Sequence, residues 1–236
     1  FTAKDGNLLI DADYSQIELR LLAHFSGCKE LIEAYCQDRD IHATTASQVF
    51  DVPLEKVTPE MRRDAKAVNF GIIYGISSFG LSNDLGISAK KAQEYIDRYF
   101  ETYSDVKSYM KQSVETAKEN GFIKTLLGRR RVINELKSSN YNVRSFGERA
   151  AMNMPLQGSS ADIIKVAMLH VFNRLKEGNY KAKLVLQVHD ELVIDCPESE
   201  TEEVSKILKE EMENAVKLRV PLTVEVGIGK SWYETK

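Results

Sequence analysis

Short runs rich in hydrophobic residues lie near both ends of the chain, and these runs predict β-strands. The first run covers residues 7–13 and ends in acidic residues. Two further runs, residues 184–188 and 192–196, flank the charged segment 189–191, which predicts a β-hairpin with charged residues at its tip. A fourth strand is expected at residues 222–226.

Between these runs, the apolar positions recur with the spacing of amphipathic helices. The first helix is expected at residues 17–25, and Gly27 ends it. Most of residues 28–84 is also expected to be helical, with a helix start at Pro59 and a helix end at Gly75. Further helices are expected at residues 88–99, 104–119, 142–153, 159–176 and 200–217. A break is expected around Pro155, and a short hairpin turning at Gly128 is expected over residues 122–133. Strands at both ends with helices between them predict an α+β fold, in which a mostly helical insertion interrupts an antiparallel sheet.

Four carboxylates occupy positions where core packing alone would not place them. Asp11 and Asp13 end the first strand, and Asp190 and Glu191 lie between two apolar strands. If these strands are neighbours in one sheet, Asp13 and Asp190 can converge. Carboxylates without histidine or thiolate partners favour Mg²⁺, and two such ions can support phosphoryl transfer. Acids at strand ends are also often merely solvated, so the residues alone leave both interpretations open.

The helix expected to begin at Pro59 carries cationic and aromatic residues at regular spacing. Arg62, Lys66, Phe70 and Tyr74 are four residues apart, so they form one slowly drifting stripe. Two cations near the positive end of the helix dipole can hold a polyphosphate, and aromatic rings offer a surface for base stacking. A surface helix with solvated cations and buried rings would show the same spacing.

Composition excludes several classes of protein. The 236 residues are 43% hydrophobic and 28% charged, with 13 Gly and 5 Pro, so disordered, collagen-like and mucin-like chains are excluded. No apolar run approaches the roughly 20 residues needed to cross a bilayer, so no membrane association is expected.

The net charge of −3 is distributed unevenly along the chain. Residues 124–149 contain seven basic and two acidic residues, whereas residues 190–213 contain ten acidic and two basic ones.

The cysteines and the first residue add two expectations. Cys28, Cys36 and Cys196 lack the spacing of a zinc site, so they are expected to be free thiols in a reducing compartment. Because the chain begins at Phe1 rather than Met, it is expected to be a piece of a longer protein.

Three segments resemble, in the same order, the motifs of the family A DNA polymerases, the bacterial DNA polymerase I type. Residues 13–20 (DYSQIELR) resemble the first catalytic motif, and residues 62–75 (RRDAKAVNFGIIYG) resemble the fingers-helix motif. Residues 187–192 (QVHDEL) resemble the third motif. The connecting segments 148–165 and 218–233 match as well, so the resemblance covers essentially the whole chain.

This resemblance implies a division into palm and fingers. Residues 1–27 would form the first part of the palm, residues 28–138 the fingers, and residues 139–236 the rest of the palm. The thumb, the upstream palm and any exonuclease domains would precede Phe1. A bacterial, cytoplasmic and nucleoid-associated protein is expected.

The resemblance also implies roles for individual residues. Asp13, Asp190 and the backbone carbonyl of Tyr14 would bind two Mg²⁺ ions. Glu191 would lie beside them, and Lys66 would protonate the pyrophosphate. Glu18 would exclude a ribose 2′-hydroxyl by steric contact. The residues implied to bind the incoming nucleotide are Gln16, Glu18, His42, Arg62, Lys66, Phe70 and Tyr74. Those implied to contact DNA are Arg149, Asn153, Gln157 and His189. On the basis of their charge alone, Arg129–Arg131 are further candidates for contacting the phosphates of the DNA backbone.

The expected function is therefore template-directed DNA synthesis from deoxynucleoside triphosphates on a primer–template. One alternative is that the isolated chain binds nucleotide or DNA but is inactive without the upstream part. A metal-dependent nuclease would use the same carboxylates but gives no role to Glu18 or to the Arg62–Tyr74 stripe. A single-subunit RNA polymerase would share the palm layout, but residues 13–20 fit the deoxynucleotide enzymes better.

Overall fold

The helices and strands follow the order that the hydrophobic pattern predicts, in a computed structural model that describes all 236 residues. The strands are β1 (Asn7–Tyr14), β2 (Phe122–Lys124), β3 (Arg130–Val132), β4 (Lys183–Val188), β5 (Glu191–Pro197) and β6 (Val224–Gly229). The α-helices are α1 (Ile17–Ser26), α2 (Lys29–Cys36), α3 (Ile41–Phe50), α4 (Pro59–Ile73), α5 (Ser78–Leu85), α6 (Ala89–Thr102), α7 (Ser104–Asn120), α8 (Tyr141–Glu177) and α9 (Thr201–Glu213). The expected α+β class, with an antiparallel sheet, is confirmed.

The strands from the two ends of the chain pair in one sheet of order β4-β5-β1-β6. Every neighbouring pair is antiparallel. Strand β5 is central, and all of its residues except Pro197 are buried. In the register of β1 with β5, Asp13 lies opposite Glu191. The sheet therefore joins acidic residues from distant parts of the sequence.

The chain divides into two structural units. Residues 1–17 and 160–236 form one, which we call the sheet unit, and residues 18–159 form the other, which we call the helical unit. In the sheet unit, the Tyr14 hydroxyl donates a hydrogen bond of 2.6 Å to the carbonyl of Met212 and ties β1 to α9. Helix α9 packs on the strands through buried apolar residues such as Val204 and Leu208.

Two boundaries in the sheet unit differ from the expectation. The helix predicted at residues 200–217 ends at Glu213, because the Asn214 side chain bonds back to the carbonyl of Glu210 at 2.8 Å and closes the last turn. The last strand extends to Gly229 rather than ending at residue 226. Gly227 and Gly229 interrupt the apolar pattern there, yet both pair with β1.

The break expected at Pro155 is wrong, because α8 is one helix of 37 residues that contains this proline. An interior proline costs about 3 kcal/mol, and apolar burial on both sides of it compensates for this. Ala151 and Met154 belong to a buried cluster, and Leu156 is fully buried. The Ser159 hydroxyl donates a hydrogen bond to the Pro155 carbonyl and stabilises the helical turn that follows.

Neither α8 nor any other helix has the combined length and apolarity needed to cross a membrane.

Candidate functional site

The sheet unit brings the predicted carboxylates together at one end of β1 and β5. Asp13 is the penultimate residue of β1, and Glu191 is the first residue of β5, directly opposite it. Asp190 lies in the turn just before β5, and its carbonyl accepts a hydrogen bond of 3.2 Å from the backbone N–H of Tyr14. The convergence expected from the sequence is therefore present.

The turn that presents Asp190 has only two residues between β4 and β5. His189, the first of them, has a positive φ of 50°. The Gln187 side chain donates a hydrogen bond of 2.8 Å to the His189 carbonyl and holds this conformation. Left-handed backbone at a non-glycine residue is uncommon and concentrates at functional sites. His189 itself is exposed.

The electrostatics of Asp13 fit a bound cation. Burial raises the pKa of Asp13 to about 6, and the neighbouring Asp190, Glu191 and Asp11 carboxylates add to the effect, whereas the Lys236 ammonium opposes it. One carboxylate oxygen of Asp13, Oδ1, is buried without a hydrogen-bond partner. An unpaired buried carboxylate oxygen among like charges is costly unless a cation compensates it. Oxygen donors of this kind suit Mg²⁺.

In the helical unit, α4 begins and ends where the sequence predicts. The Thr58 hydroxyl accepts a hydrogen bond of 3.2 Å from the backbone N–H of Met61, and Pro59 is the first residue of the helix. Gly75, with a φ of 66°, follows its last turn. Of the four stripe residues, Arg62, Lys66 and Tyr74 are exposed and Phe70 is half-buried. The stripe is therefore available to a ligand and is not absorbed into the core.

An open cleft of about 440 Å³ lies along the second half of α4. Its lining includes Phe70, Tyr74, Gly75 and Arg149. Glycine is favoured at position 75 by its left-handed backbone, with a φ of 66°, and a Cβ there would also press on the side chains of Arg149 and Met152. The cleft thus joins the aromatic stripe to α8.

An ion pair holds Arg62 at the start of α4. Its Nε lies 2.6 Å from Oδ2 of Asp40. The other Asp40 oxygen accepts hydrogen bonds from the backbone N–H groups of His42 and Ala43, at 3.0 and 3.1 Å, and caps α3. Although burial opposes it, hydrogen bonding to the Arg62 guanidinium and to these amides lowers the pKa of Asp40. The guanidinium is thus oriented before any ligand arrives.

His42 is buried and neutral. It is 2% exposed, and its Nδ1 lies 3.0 Å from the side-chain nitrogen of Asn69 on α4. Burial lowers the pKa of His42 to about 4, and the nearby Arg62 and Lys66 charges lower it further than Asp40 raises it. At pH 7 the imidazole can therefore offer a hydrogen bond but no charge.

Glu18 and Tyr74 form a direct contact between α1 and α4. The Tyr74 hydroxyl donates a hydrogen bond of 2.8 Å to Oε2 of Glu18. This bond fixes the Glu18 carboxylate beside the aromatic stripe. Gln16 lies in the sheet unit, where it has a positive φ of 55° between β1 and α1.

The remaining candidates lie on α8 and on the short hairpin. Arg149 and Gln157 are exposed, and Asn153 is half-buried with its side-chain nitrogen unpaired. Their spacing of four places them near one face of the helix, and Arg149 bonds to Ser145 at 2.9 Å. Arg130 and Arg131 are exposed on β3.

Comparison with known proteins decides the family. Residues 1–234 match the family model described as DNA polymerase family A. The chain belongs to DNA polymerase family A. It is 56% identical to DNA polymerase I of Caldicellulosiruptor bescii over 236 residues, which is 100% of this chain and 28% of that protein. DNA polymerase I of Bacillus subtilis is 56% identical over 229 residues, which is 97% of this chain and 26% of that protein.

Among solved structures, the fold is similar to that of the POL domain of Pol1 from M. smegmatis in complex with DNA primer-template and dNTP. The TM-score is 0.96 at 45% identity, and the match covers 100% of this chain and 42% of that chain. The chain spans about a quarter of the length of the curated relatives it matches. The resemblance noted in the three motifs is therefore confirmed at the level of the family.

A second group of potential metal ligands in this family A chain fits a metal poorly. Cys28, Glu30 and Asp105 place ligand atoms within 4.8 Å of one another. Burial raises the pKa of the Cys28 thiol to about 12, so it stays protonated. Its sulfur bonds to Glu30 at 3.2 Å instead. None of the three cysteines forms a disulfide bond, as the sequence predicts.

Sequence reasoning missed three residues that organise these groups. Asp40 pairs with Arg62, Asn69 contacts His42, and Lys236 contacts Asp11 and Glu191. A capping position before α3 could have drawn attention to Asp40. Asn69 lies within the fingers-helix motif. No local pattern marks Lys236, which is far in sequence from both of its partners.

Asp13→Asn is expected to raise the free energy of unfolding of the metal-free protein at pH 7 by about 1–2 kcal/mol. Asp13 has its pKa raised to about 6 in the folded state, so the folded protein binds the proton more tightly than the unfolded chain does. The wild type should therefore lose stability as the pH rises from about 4 to about 6. Urea unfolding in a chelator, from pH 4 to 7.5, measures this.

In the same titration, the two proteins should converge as the pH falls toward 4, because Asp13 is then protonated in the folded protein and about half protonated in the unfolded chain, where its pKa is 3.8. Added Mg²⁺ should stabilise the wild type more than Asp13→Asn. A metal-free variant less stable than the wild type at pH 7 would contradict the electrostatic account of Asp13.

Proposed function

We propose that the chain carries the template-directed DNA synthesis activity of its family, adding deoxynucleoside monophosphates to a primer 3′-hydroxyl with release of pyrophosphate. The observation that carries this proposal is the meeting of Asp13, Asp190 and Glu191 at one end of β1 and β5 in a family A chain. The similar Pol1 domain, described in complex with DNA primer-template and dNTP, supports the same substrates.

In this proposal the sheet unit supplies the divalent-metal site. Asp13, Asp190 and the backbone carbonyl of Tyr14 would hold two Mg²⁺ ions, with Glu191 beside them. When bound, Mg²⁺ supplies Lewis-acid polarisation of the 3′-hydroxyl and neutralisation of phosphate charge. The unpaired buried oxygen of Asp13 and its raised pKa support this assignment. The carboxylates themselves are proposed to orient the reacting oxygens and not to form covalent bonds.

The helical unit is proposed to bind the deoxynucleoside triphosphate. Arg62 and Lys66 would contact the phosphates, and His42 would contribute a hydrogen bond as a neutral imidazole. As the bond between the α-phosphorus and the leaving oxygen breaks, Lys66 would donate a proton to the pyrophosphate. Phe70 would stack on the nucleotide, and Tyr74 would guard the templating position. Gln16 is proposed as a further nucleotide contact.

Contacts to primer–template DNA are proposed for α8 and the β4–β5 turn. Arg149, Asn153 and Gln157 share a helix face and offer the donors that a minor groove accepts. His189 would touch the primer end from the turn beside Asp190. A role on chromosomal DNA would place the protein at the bacterial nucleoid.

The chain is proposed to comprise the fingers (residues 28–138) and the palm (1–27 and 139–236), with a thumb and exonuclease domains upstream in the intact protein. Because the chain spans about a quarter of its relatives, a second possibility is that it binds nucleotide or DNA alone but needs the upstream part to react. Extension of a labelled primer–template by the 236-residue chain, with Mg²⁺ and four deoxynucleotides, separates the two. Extension excludes the second possibility; nucleotide binding without extension, by folded protein, supports it.

Glu18→Ala is expected to raise the incorporation of ribonucleotides relative to deoxynucleotides by about 10²-fold. The Glu18 carboxylate, held by the Tyr74 hydroxyl, would occupy the space that a 2′-hydroxyl needs. Competitive incorporation of matched ribo- and deoxynucleotides measures the ratio. Tyr74→Phe, which keeps the ring and removes the hydroxyl, should give a smaller change of the same sign. Unchanged sugar selectivity in Glu18→Ala would move the discriminating group elsewhere.

A further inference from the structure

An ion pair between the buried Asp11 and the half-exposed Lys236 adjoins the carboxylate site and has no part in the proposed chemistry. Asp11 lies two residues before Asp13 on β1 and is 3% exposed. Its Oδ2 accepts a hydrogen bond of 3.2 Å from the Thr235 hydroxyl and lies 2.8 Å from Nζ of Lys236. Its other oxygen is buried without a partner. The same Lys236 ammonium also contacts Glu191.

The segment after β6 is shaped to deliver Lys236 to this position. Gly227 lies opposite Asp11 in the register of β1 with β6. A Cβ at Gly227 would fall 1.9 Å from the carbonyl oxygen of Thr235, so only glycine admits the returning backbone. The Thr235 hydroxyl shares its single proton between Asp11 and the carbonyl of Trp232, which lies closer at 2.8 Å and closes the turn. The contact between Lys236 and Asp11 is thus built by the backbone and by packing.

The negative charges of Asp11 and Asp13 explain why a cation is needed beside Asp11. Because side chains alternate along a strand, Asp11 and Asp13 project from the same face of β1. A buried carboxylate without a compensating charge takes up a proton or recruits a cation. Asp11 with a free carboxylate would therefore compete with Asp13 and Asp190 for a divalent ion. The Lys236 ammonium removes that competition and restrains Glu191 at the same time.

We propose that Lys236 is a positioning residue of the carboxylate site, which pairs with Asp11 so that Asp13 and Asp190, and not Asp11, hold the divalent cation. This inference rests on the proposed function. In this proposal Lys236 contacts neither substrate nor product, and it acts only through the carboxylates of Asp11 and Glu191.

Mn²⁺ binding to the intact protein, followed by electron paramagnetic resonance without DNA or nucleotide, tests this. Lys236→Met should bind Mn²⁺ about tenfold more tightly than the wild type, because Asp11 is then free to bind the ion. The turnover of this variant with Mg²⁺ should fall about tenfold, while its KM for the nucleotide stays unchanged. Adding Asp11→Asn to Lys236→Met should return affinity and turnover to within about twofold of the wild type. Lys236→Arg, which keeps the charge, should resemble the wild type in both. Gly227→Ala, which displaces Thr235, should resemble Lys236→Met.

Unchanged Mn²⁺ affinity in Lys236→Met would overturn the inference. So would a loss of turnover that Asp11→Asn fails to relieve, since Lys236 would then act on the fold or on Glu191 alone. Thermal unfolding identifies any misfolded variant, and Lys236→Gln replaces Lys236→Met if that variant does not fold. Failure of the proposed function gives a different result: Asp13→Asn would then bind Mn²⁺ as tightly as the wild type, whatever Lys236 does.

Discussion

Asp190→Ala is expected to lower single-turnover nucleotide incorporation at least about 10³-fold, because a lost metal ligand removes several kcal/mol of transition-state stabilisation. The fold should be unaffected. Asp190 lies in a two-residue turn, is not buried, and repels Asp13. Its removal should therefore leave the free energy of unfolding equal to or above that of the wild type. Rapid-quench incorporation and urea unfolding of the intact protein measure the two quantities.

Asp195→Ala is the matched control for this variant. Asp195 lies on β5, the strand that follows the Asp190 turn, but is buried and bonds to the Asn7 side chain away from the proposed metal site. This variant should lose stability yet keep near-normal incorporation at a temperature where it is folded. Near-normal incorporation by Asp190→Ala, or equal losses in both variants, would remove Asp190 from the metal site.

Lys66→Ala is expected to lower kcat by about 10²–10³-fold, because a positioned general acid contributes an effect of this size. Lys66 is exposed on α4 one turn after Arg62, and no buried structure depends on it. The variant should therefore fold like the wild type. Lys66→Arg should keep phosphate binding but recover little of kcat, since a guanidinium holds its proton at every working pH.

Arg63→Ala provides the control for Lys66→Ala. Arg63 is on the same helix and is exposed, but it pairs only loosely with Glu60 and Asp64, at 3.7 Å each. Its removal should change kcat less than about twofold, because exposed ion pairs of this kind contribute little. Equal effects of Lys66→Ala and Arg63→Ala on kcat would mean that α4 acts through its general charge and not through Lys66.

The sequence predicts the features of this protein that local patterns determine. Apolar runs ending in acidic residues indicated that Asp13 and Asp190 could converge if their strands were neighbours in one sheet, and β1 and β5 are neighbours. The spacing of four along α4 predicted the stripe, and Pro59 and Gly75 predicted where the helix starts and ends, but the spacing left open whether the rings are exposed. These predictions hold because side-chain periodicity and capping are properties of neighbouring residues.

What the sequence could not predict depends on contacts between distant residues. The helix break expected at Pro155 was overridden by burial on both sides of the proline. The pairing of Asp11 with Lys236 depends on the backbone approach at Gly227, which no local pattern encodes. The buried, neutral state of His42 depends on packing against α4 and on its contact with Asn69.

The most direct test of template-directed synthesis is single-nucleotide incorporation by the intact protein on four primer–templates that differ only in the templating base. Each reaction contains Mg²⁺ and one deoxynucleotide. The account predicts that each template selects its complementary nucleotide by at least about 10³-fold in kcat/KM, and that Asp13→Asn abolishes incorporation on all four. Incorporation that ignores the template, or that persists without Asp13, would contradict it.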